Sequence, residues 1–124
     1  MKNKIEHILI VDDEVDICFL LKSILKRSSN AKIDICNSVS CALKKLEKGS
    51  YDLAFFDMRL NDGTGVELIQ FANNMMNQKP YIAVISAYSS EIDLERLKQL
   101  NINEFIPKPL STEKIEECYR AACA

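Results

Sequence analysis

The sequence predicts a single doubly wound α/β domain, and three observations carry that expectation. Short, nearly continuous apolar runs recur along the chain, each is followed by a segment with helical apolar spacing, and five such cycles fit into 124 residues. An uninterrupted apolar run is how a strand buried on both faces reads. Strands alternating with helices build a parallel sheet covered on both sides. No linker, low-complexity stretch or internal repeat breaks the pattern, so residues 1–124 are expected to form one compact domain.

The first cycle opens with His7-Ile8-Leu9-Ile10-Val11, a β-branched and apolar run ending at Asp12-Asp13. From Glu14 onward, Ile17, Leu20, Leu21, Ile24 and Leu25 recur at helical spacing, with Lys22, Lys26 and Arg27 toward water, and the helix is expected to stop near Ser28-Ser29-Asn30. A second strand is expected at Lys32–Cys36 and a helix from Ser38 to Lys48, with Gly49 as a left-handed C-cap. Leu53-Ala54-Phe55-Phe56 reads as a third strand ending at Asp57, and Asn61-Asp62-Gly63-Thr64-Gly65 as a loop of turn formers. Val66, Leu68, Ile69 and Ala72 mark a third helix. Tyr81-Ile82-Ala83-Val84-Ile85 is a fourth strand ending at Ser86, and Leu94, Leu97 and Leu100 mark a fourth helix. A short fifth strand, Glu104-Phe105-Ile106, ends at Pro107-Lys108-Pro109. Ser111 or Thr112 then caps a last helix carrying Ile115, Cys118, Tyr119 and Ala122.

Composition narrows the function classes. Hydrophobic content of 48% and charged content of 27% are those of a soluble globular protein. A net charge of -2 lacks the concentrated Lys and Arg excess that nucleic-acid binding requires. The apolar runs are strand-sized, and the N-terminus has no apolar signal core, so neither a membrane span nor secretion is expected and the location should be cytoplasmic. Five cysteines at 18, 36, 41, 118 and 123 show no C-x-x-C pair, so free thiols are expected. The single histidine, His7, excludes a His-based triad and reads as a solvated residue at a strand start.

In open α/β sheets the functional crevice lies beyond the carboxyl ends of the strands. Strand one delivers Asp12 and Asp13 there, strand three Asp57, strand four Ser86 and strand five Lys108. Singly, each has an ordinary reading as a helix cap or turn residue. Together, three carboxylates in one pocket repel and need a proton or a cation, and Mg2+, a hard ion with oxygen ligands, suits them. A carboxylate is also a nucleophile toward phosphorus, and the transferred group's charge then needs a metal, a Lys and a hydroxyl donor. Asp13 and Asp57 can hold metal, Asp57 can attack, and Lys108 and Ser86 can bind phosphoryl oxygens.

On these residues the chain resembles the receiver domains of two-component response regulators, at the size of the single-domain chemotaxis type. The resemblance rests on Ile8-Leu9-Ile10-Val11-Asp12-Asp13-Glu14, Phe56-Asp57-Met58-Arg59-Leu60, Asp62-Gly63, Ser86-Ala87 and Phe105-Ile106-Pro107-Lys108-Pro109, in that order along the chain. It implies a flavodoxin-like five-stranded parallel sheet, order 2-1-3-4-5, with five helices. It implies that Asp57 is the phosphoacceptor, that Asp13 ligates Mg2+ directly and Asp12 through water, and that the Arg59 main-chain carbonyl completes the protein ligands. It further implies that Lys108 bonds the phosphoryl group, that Ser86 reorients toward it while Phe105 turns inward as the aromatic switch, and that the peptide before Pro109 is cis. Two positions depart from the family's commoner residues: Asn61 stands where Pro is frequent, and Phe105 where Tyr is frequent. Arg59 and Tyr88 occupy positions that tune phosphoryl lifetime in the family.

The implied activity is phosphorylation-dependent signalling: the domain catalyses its own phosphoryl transfer and slow dephosphorylation and is not a conventional enzyme. The implied partners are a sensor histidine kinase or phosphotransfer protein as donor and an effector protein or output domain beyond Ala124, with a homodimer through the face of helix four, strand five and helix five. Candidate residues on that face are Arg96, Lys98, Gln99 and Glu104. A haloacid-dehalogenase-like phosphatase needs a second Asp two residues after the nucleophile, where this chain has Arg59. Asp62-Gly63-Thr64-Gly65 lacks both dinucleotide and Walker spacing. A phosphorylation-independent adaptor usually reveals itself by loss of an acidic or Lys position, and none is lost here.

Overall fold

The structure is a computed structural model that describes residues 4–87, 95 and 97–124. Its elements are β1 (His7–Val11), α1 (Val15–Ser28), β2 (Lys32–Cys36), α2 (Val39–Lys48), β3 (Leu53–Asp57), β4 (Arg59–Leu60), β5 (Gly63–Thr64), α3 (Gly65–Met75), β6 (Tyr81–Ser86), β7 (Glu104–Pro107) and α4 (Thr112–Cys123). Five strands form one parallel sheet in the order β2-β1-β3-β6-β7, the predicted topology. Of the five predicted helices, four are complete among the described residues. Of the fourth predicted helix, Glu95, Leu97 and Lys98 are helical, and Leu94 lies outside the described residues.

The continuous apolar strands divide their side chains between two cores with a period of two. Leu9, Val11, Ala54, Phe56, Ile82 and Val84 face α2, α3 and Leu97 on one side of the sheet. Ile8, Ile10, Leu53, Phe55, Ala83 and Ile85 face α1 and α4 on the other. Every one of these residues is fully buried, which is why β1, β3 and β6 carry no polar alternation. On α1 the buried stripe is Cys18, Leu21, Ile24 and Leu25. Leu20 was expected on that stripe but is 41% exposed. It lies about 100° round the helix from Leu21, beyond the width that the sheet covers.

Several local expectations need correction. Gly49 does cap α2, its N–H reaching the Lys45 carbonyl, but with extended backbone (φ -121°) and not a left-handed one. The expected loop at residues 61–65 contains the second strand of a short antiparallel hairpin, β4–β5, pairing Arg59 with Thr64 and Leu60 with Gly63. His7 is half-buried and bonded at both ring nitrogens, Nε2 to Asp34 Oδ2 at 2.8 Å and Nδ1 to the Ser50 carbonyl at 3.0 Å. Its ring lies 4.1 Å from that of Tyr51, whose hydroxyl donates to the same Asp34 carboxylate. Burial pushes the Asp34 carboxyl up, but these two hydrogen bonds together with nearby positive charge outweigh it and hold the group below its ordinary range. Finally, Cys36 and Cys41 are joined as a disulfide with Cα atoms 5.6 Å apart, while Cys18, Cys118 and Cys123 are free. Sequence spacing alone could not show that pair, because the turn from β2 into α2 folds the two residues together.

Candidate functional site

Strand register assembles the site. Val11 pairs with Phe56, so the next residues, Asp12 and Asp57, emerge side by side from neighbouring strands. Asp57 pairs with Ile85, which places Ser86 one step beyond, and Ser86 pairs with Pro107, which places Lys108 next to it. The Lys108 N–H donates to the Ser86 carbonyl at 2.8 Å, and the Lys108–Pro109 peptide is cis, as expected. The sheet edge thus gathers Asp12, Asp13, Asp57, Ser86 and Lys108, all five side chains expected there.

One ligand atom from each of Asp12, Asp13, Glu14 and Asp57 falls within a 4.8 Å cluster. Lys108 Nζ reaches into it, 3.1 Å from Asp12 Oδ2, 3.0 Å from Glu14 Oε1 and 3.4 Å from Asp57 Oδ2. Its side chain is only 11% exposed. Burial alone would push the Lys108 ammonium down, but its hydrogen bond to Glu14, its ion pair with Asp12 and the nearby Asp57 charge raise it instead. Asp12 is fully buried. Burial and the neighbouring Asp57 charge push its carboxyl up to about 6, against the Glu14 N–H and Lys108, which favour the anion.

The two oxygens of Asp12 differ. Oδ1 accepts the Glu14 N–H at 2.8 Å, which turns the chain into α1. Oδ2 is buried with no hydrogen-bond donor, since the Lys108 ammonium is close but off the bonding direction. A buried carboxylate oxygen left in this state is costly and is suited to a cation or an ordered water. The donor set, all hard carboxylate oxygen, fits Mg2+.

Asp57 ends β3 almost fully buried, with the Arg59 N–H at 3.5 Å from Oδ1. Behind it the chain runs through the hairpin and returns at Gly65, whose N–H donates to the Met58 carbonyl at 3.1 Å. A Cβ at Gly65 would lie 2.5 Å from the Asp57 carbonyl oxygen, a backbone atom with no freedom to move aside. Gly65→Ala is therefore expected to cost about 1–3 kcal/mol of stability, seen as a lower urea midpoint at unchanged slope.

Three residues act here without having been assigned a role from the sequence. Glu14 joins the carboxylate cluster and pairs with Lys108; its position beside Asp12-Asp13 was the available signal. Asn37 donates Nδ2 to the Asp12 carbonyl at 2.8 Å. Asp62, read as a turn residue, accepts the Val39 and Ser40 N–H groups at 2.8 and 3.1 Å, while Ser38 Oγ accepts that of Cys41. The first three orphan donors of α2 are thereby satisfied, and the β4–β5 hairpin is tied to that helix. Those two N–H bonds hold the Asp62 carboxyl below its ordinary range. Phe105 is half-buried on β7 against the core, and Tyr88 and Arg96 lie outside the described residues.

Both the sequence and the fold of this chain are similar to those of known proteins. Residues 8–120 match the family model of the response regulator receiver domain. Response regulator protein PilR of Pseudomonas aeruginosa is 34% identical over 92% of this chain, which spans 25% of PilR. Sensory transduction protein LytT of Enterococcus faecalis is 31% identical over 94% of the chain, which spans 47% of LytT. The crystal structure of a two-component response regulator from Clostridium difficile superimposes with a TM-score of 0.86 at 25% identity, covering 94% of each chain. The chain belongs to the receiver domains of two-component response regulators. It spans a quarter to a half of the length of the curated relatives it matches, and among the described residues no helix is long and apolar enough to cross a membrane.

Proposed function

We propose that Asp57 is the phosphoacceptor of this receiver and that Asp12, Asp13, Asp57 and the main-chain carbonyl of Arg59 hold Mg2+ beside it. The observation that carries this reading is the buried Asp12 Oδ2 without a donor, facing the Lys108 ammonium, on a carboxylate that clusters with those of Asp13, Glu14 and Asp57. When bound, the cation offsets negative charge on the carboxylates and on the incoming phosphoryl oxygens.

The chain's own residues supply the rest. An Asp57 carboxylate oxygen attacks phosphorus of a phosphohistidine, the P–N bond breaks, and the leaving imidazole departs with the donor protein. Lys108, at 3.4 Å from Asp57 Oδ2, is placed to hold a phosphoryl oxygen as a point charge. To do so it must give up part of its pairing with Asp12 and Glu14. Ser86, one register step away at the end of β6, offers its hydroxyl to another oxygen. Movement of Ser86 toward the phosphoryl group and of Phe105 into the core would then shift the population of the surface that includes Lys98, Gln99 and Glu104. The donor is a histidine kinase or phosphotransfer protein, and the readout is an effector or an attached output domain.

Intact mass after incubation with acetyl phosphate tests the reading. A single phosphoryl adduct is expected in the parent with Mg2+ present. It should be absent from Asp57→Asn and from the parent with the metal chelated. A folded parent that gains no adduct would replace this reading with a phosphorylation-independent adaptor.

A further inference from the structure

We propose that Cys36 and Cys41 are a reversible thiol–disulfide modification site, opened and closed by small thiols and disulfides, whose state is transmitted to the acidic site. The bridge spans the turn that holds Asp12 and Asp62 in place. Cys36 is the buried last residue of β2, and its carbonyl accepts the Asp12 N–H at 3.1 Å. Within the bridged segment, Asn37 bonds the Asp12 carbonyl, and Val39 and Ser40 bond the Asp62 carboxylate. Four hydrogen bonds from this one turn therefore reach the two loops that flank Asp57. The consequence for phosphorylation rests on the function proposed above; the modification itself does not.

The two sulfurs differ in access. Cys36 is 1% exposed, whereas Cys41 is half-buried in the first turn of α2 and lines a groove of about 500 Å³ with Lys44, Lys45 and Lys48. A thiolate at Cys41 would sit at a helix N-terminus with lysines three and four residues on, the setting in which cysteines react. Closure then runs in two exchanges. The Cys41 thiolate attacks one sulfur of a small disulfide, forming a mixed disulfide and releasing one thiolate. Cys36, losing its proton to water, attacks the Cys41 sulfur, forming the protein bridge and releasing the second. Two protein thiols are oxidised and one small disulfide is reduced to two thiols. Cys18 and Cys118 are poor competitors, since both are buried and burial pushes both thiols up, that of Cys18 to about 11.

The test uses the full chain equilibrated in glutathione buffers of graded ratio, quenched, alkylated and peptide-mapped. Expected are a linked Cys36–Cys41 pair at the oxidising end and two alkylated thiols at the reducing end. Cys36→Ser should trap a glutathione adduct on Cys41, and Cys41→Ser should leave Cys36 unmodified. Amide exchange of Asp12, Val39 and Ser40 in the parent should quicken about tenfold on opening, as local protection is lost. Both thiols free at every ratio, a bridge that survives the reducing buffer, or unchanged exchange would each overturn the proposal. Absence of an acetyl phosphate adduct in both redox states would count against Asp57 as phosphoacceptor and leave the exchange result standing.

Discussion

Replacing Lys108 with Met is expected to lower the unfolding free energy by about 2–4 kcal/mol at neutral pH in metal-free buffer. Met keeps most of the buried stem and removes only the ammonium that faces Asp12, Glu14 and Asp57. Two of those carboxylates are buried and would be left without a cation. Because folding raises the Lys108 ammonium above its ordinary range, its stabilisation is complete below the unfolded pKa and is lost as pH rises through the folded one. The parent should therefore weaken in strong alkali more steeply than Lys108→Met. Urea titrations of both proteins across pH check this; equal stabilities at pH 7 would mean that solvent already compensates the carboxylates.

Asp12→Asn should act in the opposite direction, stabilising the metal-free protein by about 1–2 kcal/mol at pH 7 while removing Mg2+ binding. Asn preserves the acceptor for the Glu14 N–H at Oδ1 and removes the charge that burial and Asp57 disfavour. Burial and the Asp57 charge push the folded carboxyl up to about 6, above its unfolded value, so the native state holds its proton more tightly and the parent loses stability as pH rises through that window. The gain stays modest because Asn also forfeits the pairing with Lys108. The gain should vanish below pH ~4, where Asp12 is protonated in both states. In the double variant with Lys108→Met the two effects should be non-additive, since the residues are in contact. Isothermal titration with Mg2+ and urea midpoints read both arms. Unchanged Mg2+ affinity in Asp12→Asn would remove Asp12 from the metal site.

These two opposing expectations share one source, an acidic cluster that Lys108 compensates only in part. Lys108 compensates the acidic cluster in the absence of metal, yet Asp12 Oδ2 still has no hydrogen-bond donor. Binding of a cation would relieve that state, so metal affinity and apo stability are expected to trade against each other at Asp12.

The sequence by itself determined the sheet, its strand ends and the groups delivered there. Fully buried parallel strands must be apolar throughout, so β1, β3 and β6 stand out, and each ends where a polar residue first appears: Asp12, Asp57 and Ser86. What the tertiary structure alone decided lies in contacts between segments distant along the chain. Glu14 acquires a role only because Lys108, 94 residues away, reaches it. Asp62 looks like any turn residue until the hairpin carries it to the N-terminus of α2. His7 leaves solvent because Asp34 and Ser50 close over it, and Cys36 meets Cys41 through a turn that no Cys spacing announces. Periodicity reports which face a residue presents and composition reports what it can do. Which polar partner meets it is set by register and packing, and only the folded chain contains that information.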